Sequence, residues 1–370
     1  MNLPTPEPSQ PDPNDADARE LSRANVWVLS DGRAGHLGTT RGILRSLAQI
    51  RPLNEHWIEL HMRLGAVRQV MHYWLHGTNH PVPRWLQKAC YRIGEMPAAR
   101  PDLILSTGGS TVYLNASFAR QFDCPNLFAG TLRGLRSSFF SAVITPFRLE
   151  GVNNNIELDY LPLAVDPAKA AQAGEQYRLE HCLNDERLWT MIIGGDGGGY
   201  RYTDADWAEL AQAMNQLAQQ SSVRWLLTTS RRTGARGEAV LRKHLDEAVL
   251  ADAVWWTQEP RKVMLAYLGA SQCVFCTEES GSMITESILS GRAAFALRAR
   301  RNRPQAQHLR FLEAQQRLHR LRRLSMADMA RFDVNRSLGD FAPVDQAQVM
   351  AMNAAFLCNL NTQLAERWQR

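Results

Sequence analysis

Short apolar runs of three to seven residues alternate along this chain with longer amphipathic stretches, and turns rich in Gly and Ser separate them. The first run, 25–30, passes through Asp31-Gly32-Arg33-Ala34-Gly35-His36 into a helical stretch at 37–50. A second strand is predicted at 56–60. Residues 65–94 carry helical spacing in two pieces broken at 77–83, and they are dense in aromatic and basic side chains. Another apolar run, 102–106, ends in Thr107-Gly108-Gly109-Ser110 and a helix, and short strands follow at 125–129 and 142–145. Strand-then-helix alternation of this kind predicts a parallel sheet with helices on both faces.

The pattern then restarts. Residues 166–187 are polar, without a strand signal, and read as a linker. Strand 188–193 ends in the glycine turn 194–199, and a helix capped by Thr203 runs to about 220. Strands at 223–229 and 253–256 alternate with helices at 237–248 and 260–268. A strand at 274–276, a turn at 278–282, a helix and a strand at 293–297 complete the second half, and a last helix spans 345–368. The expected fold is α/β, with two successive doubly wound, Rossmann-like domains. The boundaries are a disordered tail at 1–22, rich in Pro and Asp, a first domain at 23–165, the linker at 166–187 and a second domain at 188–335. The closing segment, 336–370, is a helix expected to pack back on the first domain.

In such sheets ligands lie beyond the carboxyl ends of the strands, and the turns 31–36, 107–110, 194–199 and 280–282 all fall there. The unit 274–297 is the most telling. Its helix opens on Ser280-Gly281-Ser282, where free N–H groups and the helix dipole favour phosphate. Glu278 and Glu286, spaced E-x7-E, sit on the loop and the helix, so both are expected to face one cleft. No turn matches the spaced-glycine dinucleotide fingerprint or the Walker loop, which argues against a classical dehydrogenase or a P-loop ATPase.

Composition changes the picture little. The chain is 45% hydrophobic and 21% charged, and no apolar run reaches the ~20 residues of a membrane span. With no signal peptide read at its start, a cytoplasmic protein is expected. A net charge of +5 suits anionic substrates or an anionic membrane surface more than dedicated nucleic-acid binding. Six scattered cysteines suit a reducing compartment. Cys273-x-x-Cys276 lies inside an apolar strand with no second pair at metal spacing, and reads as core.

Four motifs together carry a resemblance. SDGRAGH at 30–36, STGGST at 106–111, IGGDGGGY at 193–200 and the run Ser280-Gly281-Ser282-Met283-Ile284-Thr285-Glu286 resemble the mitochondrial-fission ELM-type family of bacteria and plants. Its bacterial members are assigned to the glycosyltransferases. The layout is also similar to GT-B glycosyltransferases of the MurG type. Gly35-His36, Gly108-Gly109, Gly194-Gly195-Asp196 and Ser280-Gly281-Ser282…Thr285-Glu286 stand where that enzyme has its loops.

The resemblance implies a GT-B fold and a set of roles. Glu286 would bond the ribose hydroxyls of a nucleoside diphosphate sugar, and the N–H groups around Ser280, Gly281, Ser282 and Met283 would hold the diphosphate. Gly194, Gly195, Asp196, Gly197 and Gly198, with Thr229, Ser230 and Arg231, would close the donor pocket. Arg231 or Arg232 would neutralise phosphate, and Glu278 would face the sugar. The acceptor would enter past Gly35, Gly108, Gly109 and Ser110. Asp31 and His36 are the candidates for the base that takes the acceptor proton. Neither metal nor further cofactor is required, because helix dipole and Arg offset the leaving charge.

Plainer roles compete with these. Asp31 suits a turn, His36 a structural place at a helix start, and Glu286, Glu278 and Glu279 solvated charges. The nine arginines between 298 and 323 suit a solvated helical face, with 298–303 also within reach of a diphosphate. Tyr73, Trp74, Trp85 and Tyr91 interleave with Arg68, Arg84 and Lys88, which fits a membrane-interface helix pair or a face packed on the sheet. No nucleic-acid module is present. The expectation is sugar transfer from a nucleotide sugar to a glycan or glycolipid such as lipopolysaccharide core, in the cytoplasm or on the inner face of the plasma membrane. The alternatives are a nucleotide-sugar 2-epimerase of the same fold, a non-catalytic membrane scaffold and a nucleotide-binding module without turnover.

Overall fold

A computed structural model describes residues 23–63, 67–158 and 165–368, so the tail at 1–22 lies outside the described residues. The first sheet is built from β1 (Ala24–Ser30), β2 (Leu53–Met62), β3 (Tyr91–Ile93), β4 (Leu103–Thr107), β5 (Asn126–Ala129), β6 (Ala142–Thr145) and β7 (Asn155–Glu157). Its order is β3-β2-β1-β4-β5-β6-β7, parallel except for the edge pair β2–β3. The second half supplies β8 (Leu188–Ile192), β9 (Tyr200–Arg201), β10 (Arg224–Thr228), β11 (Leu250–Val254), β12 (Cys273–Thr277), β13 (Ala293–Arg298), β14 (Arg301–Asn302) and β15 (Leu321–Ser325). Six of these form a fully parallel sheet in the order β11-β10-β8-β12-β13-β15, while β9 and β14 pair as a small antiparallel ribbon.

The central strands are apolar because both their faces are covered. Every residue of β4, β8 and β12 is buried. One face of the second sheet is an aromatic layer in which Phe275 stacks on Phe295 at 4.6 Å and Trp189 meets Trp225 edge-on at 5.6 Å. Cys273 and Cys276 lie buried in this sheet, where burial holds both thiols well above their usual range. One face of the first sheet packs Val26, Val28 and Leu105 against Phe356, Leu360 and Leu364 of the closing helix, Gln346–Trp368. The chain therefore crosses back to cover its first domain.

Three segments differ from their sequence reading. Within 166–187, Asp166 caps a helix, Pro167–Glu180, that lies against the helix Met264–Ala270. Gly174 and Gly269 let the two backbones touch, for a Cβ on Gly174 would fall 2.1 Å from the Gly269 carbonyl carbon. The arginine-rich stretch is not one solvated helical face. It contains β14, the helix Ala306–Arg317 and β15, whose Arg323 points inward. The end of the predicted helical region 65–94 is the edge strand β3. No described helix is long and apolar enough to cross a membrane.

Strand order reverses between β1 and β4 in the first sheet and between β8 and β12 in the second. Ligands of doubly wound sheets settle at such reversal points. The four motif-bearing turns are the turns that leave these four strands.

Candidate active site

Asp31 follows β1 directly and its side chain is only 6% exposed. His36 Nδ1 lies 2.8 and 3.0 Å from its two oxygens, and the Ser110 hydroxyl donates to it at 2.5 Å. The Arg33 N–H adds a fourth contact at 3.3 Å. Burial alone would raise this carboxyl, but the bonds from His36, Ser110 and Arg33 outweigh it and hold the group at about 2. A carboxylate can only accept, so His36 Nδ1 carries a proton and donates it to Asp31. Of the two residues, Asp31 holds and orients the ring of His36. The ring rests on Gly108, which has φ +92° and no room for a Cβ. Such an atom would sit 2.2 Å from His36 Cε1.

Across the domain boundary stands the helix Gly281–Leu289. Its N-cap, Ser280, makes no side-chain capping bond, and neither does Arg33 at the start of Ala34–Ile50. By contrast, Thr203 and Asp206 close a full capping box on the helix Asp204–Ser221. The two uncapped starts face one another, because a Cβ on Gly35 would fall 2.6 Å from Ser282 Oγ. Gly35, expected to touch the acceptor, is thus an inter-domain contact. Two positive helix ends converging with free N–H groups favour an anion between them.

The three glutamates of this region have different fates. The Glu278 carboxylate is fully buried, gripped by Arg323 through two bonds of 2.8 Å and by the Tyr200 hydroxyl at 2.7 Å. It cannot face a sugar, which corrects the sequence expectation. Glu279 is equally buried and accepts from Gly195 N at 2.9 Å, Arg232 at 2.9 Å and the Tyr202 hydroxyl at 2.6 Å. Burial raises its carboxyl, opposed by Arg232 and these bonds. Adjacent acids read as solvent-facing are in fact the framework. Glu286 is half-buried, and its carboxylate has no hydrogen bond or ion pair among the described residues. Burial pushes it up to about 7. It lies one turn beyond Ser282, on the same helix face that meets the first domain.

The glycine turn 194–199 is packed against its own domain. A Cβ on Gly194 would lie 1.6 Å from Glu279 Oε1, one on Gly195 2.3 Å from the Arg232 carbonyl, and one on Gly199 1.9 Å from the Arg303 carbonyl oxygen. The N–H groups of Gly194, Gly195 and Gly197 are taken by Thr277, Glu279 and Tyr200. Gly198 packs against the Glu279 carbonyl. Asp196 is held by Arg201 and the Tyr202 N–H, Thr229 donates to Glu238, and Ser230 donates to the Gly194 carbonyl. These residues, expected around the donor, make close approaches to the protein itself. Arg232 is committed to Glu279, while Arg231 stays exposed. Met283 is partly buried at the helix start.

Sequence reasoning passed over His308. Its Nε2 donates to the Glu278 carbonyl at 2.8 Å, and its ring flanks Gly281. Nothing in its local sequence marked it, since a helix and two strands separate it from Glu278.

Comparison with solved structures places this architecture. Staphylococcus aureus MnaA with UDP is 11% identical, covers 92% of this chain and 97% of its own, and superposes with a TM-score of 0.56. Methanocaldococcus jannaschii UDP-GlcNAc 2-epimerase, in complex with UDP-GlcNAc and UDP, is 11% identical, covers 91% and 99%, and gives 0.54. At this identity the likeness is one of fold, the GT-B arrangement of two Rossmann-like domains. No curated protein matches the sequence. The family model described as mitochondrial fission ELM1 matches residues 34–353, and the chain belongs to that family.

Proposed function

We propose that this protein transfers a sugar from a nucleoside diphosphate sugar to a hydroxyl of a glycan or glycolipid acceptor, with lipopolysaccharide core as the acceptor class. The observation that carries this reading is the Asp31-held His36 at one strand reversal, opposite an uncapped helix start and the unpaired Glu286 at the other. Glu286 accepts from the ribose hydroxyls. The N–H groups at 281–283 receive the diphosphate, and Arg231 adds positive charge from its exposed position. His36 Nε2 takes the acceptor proton as the acceptor oxygen bonds to the sugar and the sugar–phosphate bond breaks. Asp31 stabilises the imidazolium that forms, and the departing diphosphate keeps its electrons against the two helix ends.

The 2-epimerase reading shares the fold of the solved structures named above. It needs an acid–base pair around the sugar itself. Glu278 and Glu279 are committed to Arg323 and Arg232, and Asp31 is held at about 2, which leaves transfer with one base as the better account. Peripheral attachment to an anionic membrane at the cytoplasmic face is supported by Tyr73 and Trp85, 73% and 68% exposed, near Arg84 and Lys88. Trp74 and Tyr91 do not join them. Trp74 donates to the Pro81 carbonyl and Tyr91 is buried.

A thermal-shift series with UDP, GDP, CMP and ADP sugars tests the donor site. One nucleotide should stabilise the protein, by about 2.7 kcal/mol at a hundredfold excess over Kd. Glu286→Ala should remove the effect. Absence of a shift with all four overturns the reading in favour of a scaffold.

A further inference from the structure

Beside the His36 pair stands a cation that the proposed chemistry does not use. β5 leads into a turn flanked by Gly130 at φ +135° and Gly134 at φ +88°, and within it Arg133 itself sits at φ +54°. A non-glycine residue in that region is strained, and strain of this kind persists where surrounding structure enforces it. The Tyr113 hydroxyl donates to the Arg133 carbonyl at 3.1 Å and holds the turn in place. The side chain then crosses Gly109, where a Cβ would lie 2.4 Å from Arg133 Nε. Gly109 is therefore bare because Arg133 passes over it, and the next residue, Ser110, donates to Asp31.

The guanidinium is exposed, and among the described residues it has no hydrogen bond, ion pair or ring partner. At the other strand reversal Arg232 is committed to Glu279 and Arg323 to Glu278, while Arg231 stays exposed there. Asp31, in the same cluster, is already held by His36 and Ser110. A planar, permanently charged fork left open one residue from the base's support is suited to an oxyanion.

We propose that Arg133 is a specificity residue that selects an acceptor carrying an oxyanion, phosphate or carboxylate, near the hydroxyl that His36 deprotonates. This rests on the transferase reading of the site. The full chain, labelled at its histidines, is titrated with mannose 6-phosphate, glucuronate and mannose while the His36 ring signals are followed by NMR. The charged sugars should move those signals and mannose should not, and the more effective of the two names the anion. In Arg133→Met the response should need at least tenfold more ligand, with Arg133→Lys intermediate. Arg133→Gly should lose the response while its Tm equals or exceeds that of the parent, because glycine relieves the left-handed strain, an outcome a purely structural arginine would not give. Equal responses to mannose, no response to any sugar, or an unchanged response in Arg133→Met overturns the proposal. Thermal shifts with the UDP, GDP, CMP and ADP sugars, taken together and run on the same variants, report the donor site separately. Their absence in the parent refutes sugar transfer, whereas their presence beside a failed Arg133 arm refutes only the anion selection.

Discussion

The two strand reversals are built from the same parts and treat their ionisable groups in opposite ways. At the first, Asp31 is buried but spends its bonds on His36, whose side chain remains 31% exposed. At the second, Glu278 and Glu279 have no exposed side-chain surface and spend their bonds on Arg323, Arg232 and two tyrosines. Buried ion pairs add little net stability over apolar packing. What they do here is fix geometry, tying the turn after β12 to β15 on one side and to the glycine turn after β8 on the other. The first reversal therefore keeps an imidazole at the surface, and the second keeps a rigid cradle with Glu286 as its unpaired acid. On the proposed reading, chemistry and grip are divided between the domains.

The largest expected effect separates those two tasks. His36→Ala should lower kcat/KM for transfer by about 10²–10⁴-fold while nucleotide-induced stabilisation persists. If both are lost together, the division between domains is wrong. The second effect falls on stability. Arg323→Ala leaves the Glu278 carboxylate buried without its cation, at a cost of about 3–5 kcal/mol in urea denaturation. A midpoint equal to the parent's would mean that the second reversal is not the framework described.

The alternation of apolar runs made the two sheets legible, because strands buried on both faces are apolar throughout, as β4, β8 and β12 are. The four turns were legible because glycine and hydroxyl residues cluster at strand ends. Which approach each glycine permits was not. Gly108 makes room for His36, Gly109 for Arg133, and Gly194 for Glu279, and these partners lie 24 to 85 residues away in the chain or across a turn that sequence spacing does not reveal. Glu278 was expected to face the sugar, with a solvated charge as the plainer role for it and for Glu279, and the cations that hold both in the interior come from distant segments. The helix Pro167–Glu180 was hidden by its polar outer face and by the small residues through which it packs.

Glu286 gives the finest test, because one substitution should move two properties in opposite directions. An ordinary glutamate titrates near 4.5, and burial raises this one to about 7 in the folded protein. Between these values the folded state holds more protons than the unfolded one, so stability falls as pH rises through the window. Each pKa unit is worth about 1.4 kcal/mol, and solvent reaching a half-buried group reduces the total to the order of 2 kcal/mol. Glu286→Gln should therefore match the parent below pH 4.5 and exceed it by that amount above pH 7, as read by urea denaturation without nucleotide. Donor binding should behave in reverse. The ribose hydroxyls bond an ionised acceptor more strongly than a neutral one, so nucleotide stabilisation of the parent should grow from acid pH to pH 8 as the carboxylate forms, and Glu286→Gln should show a weaker stabilisation that does not change with pH. A stability difference that stays flat across the window would make Glu286 a solvated charge and leave the second reversal without the acid that gives it a grip.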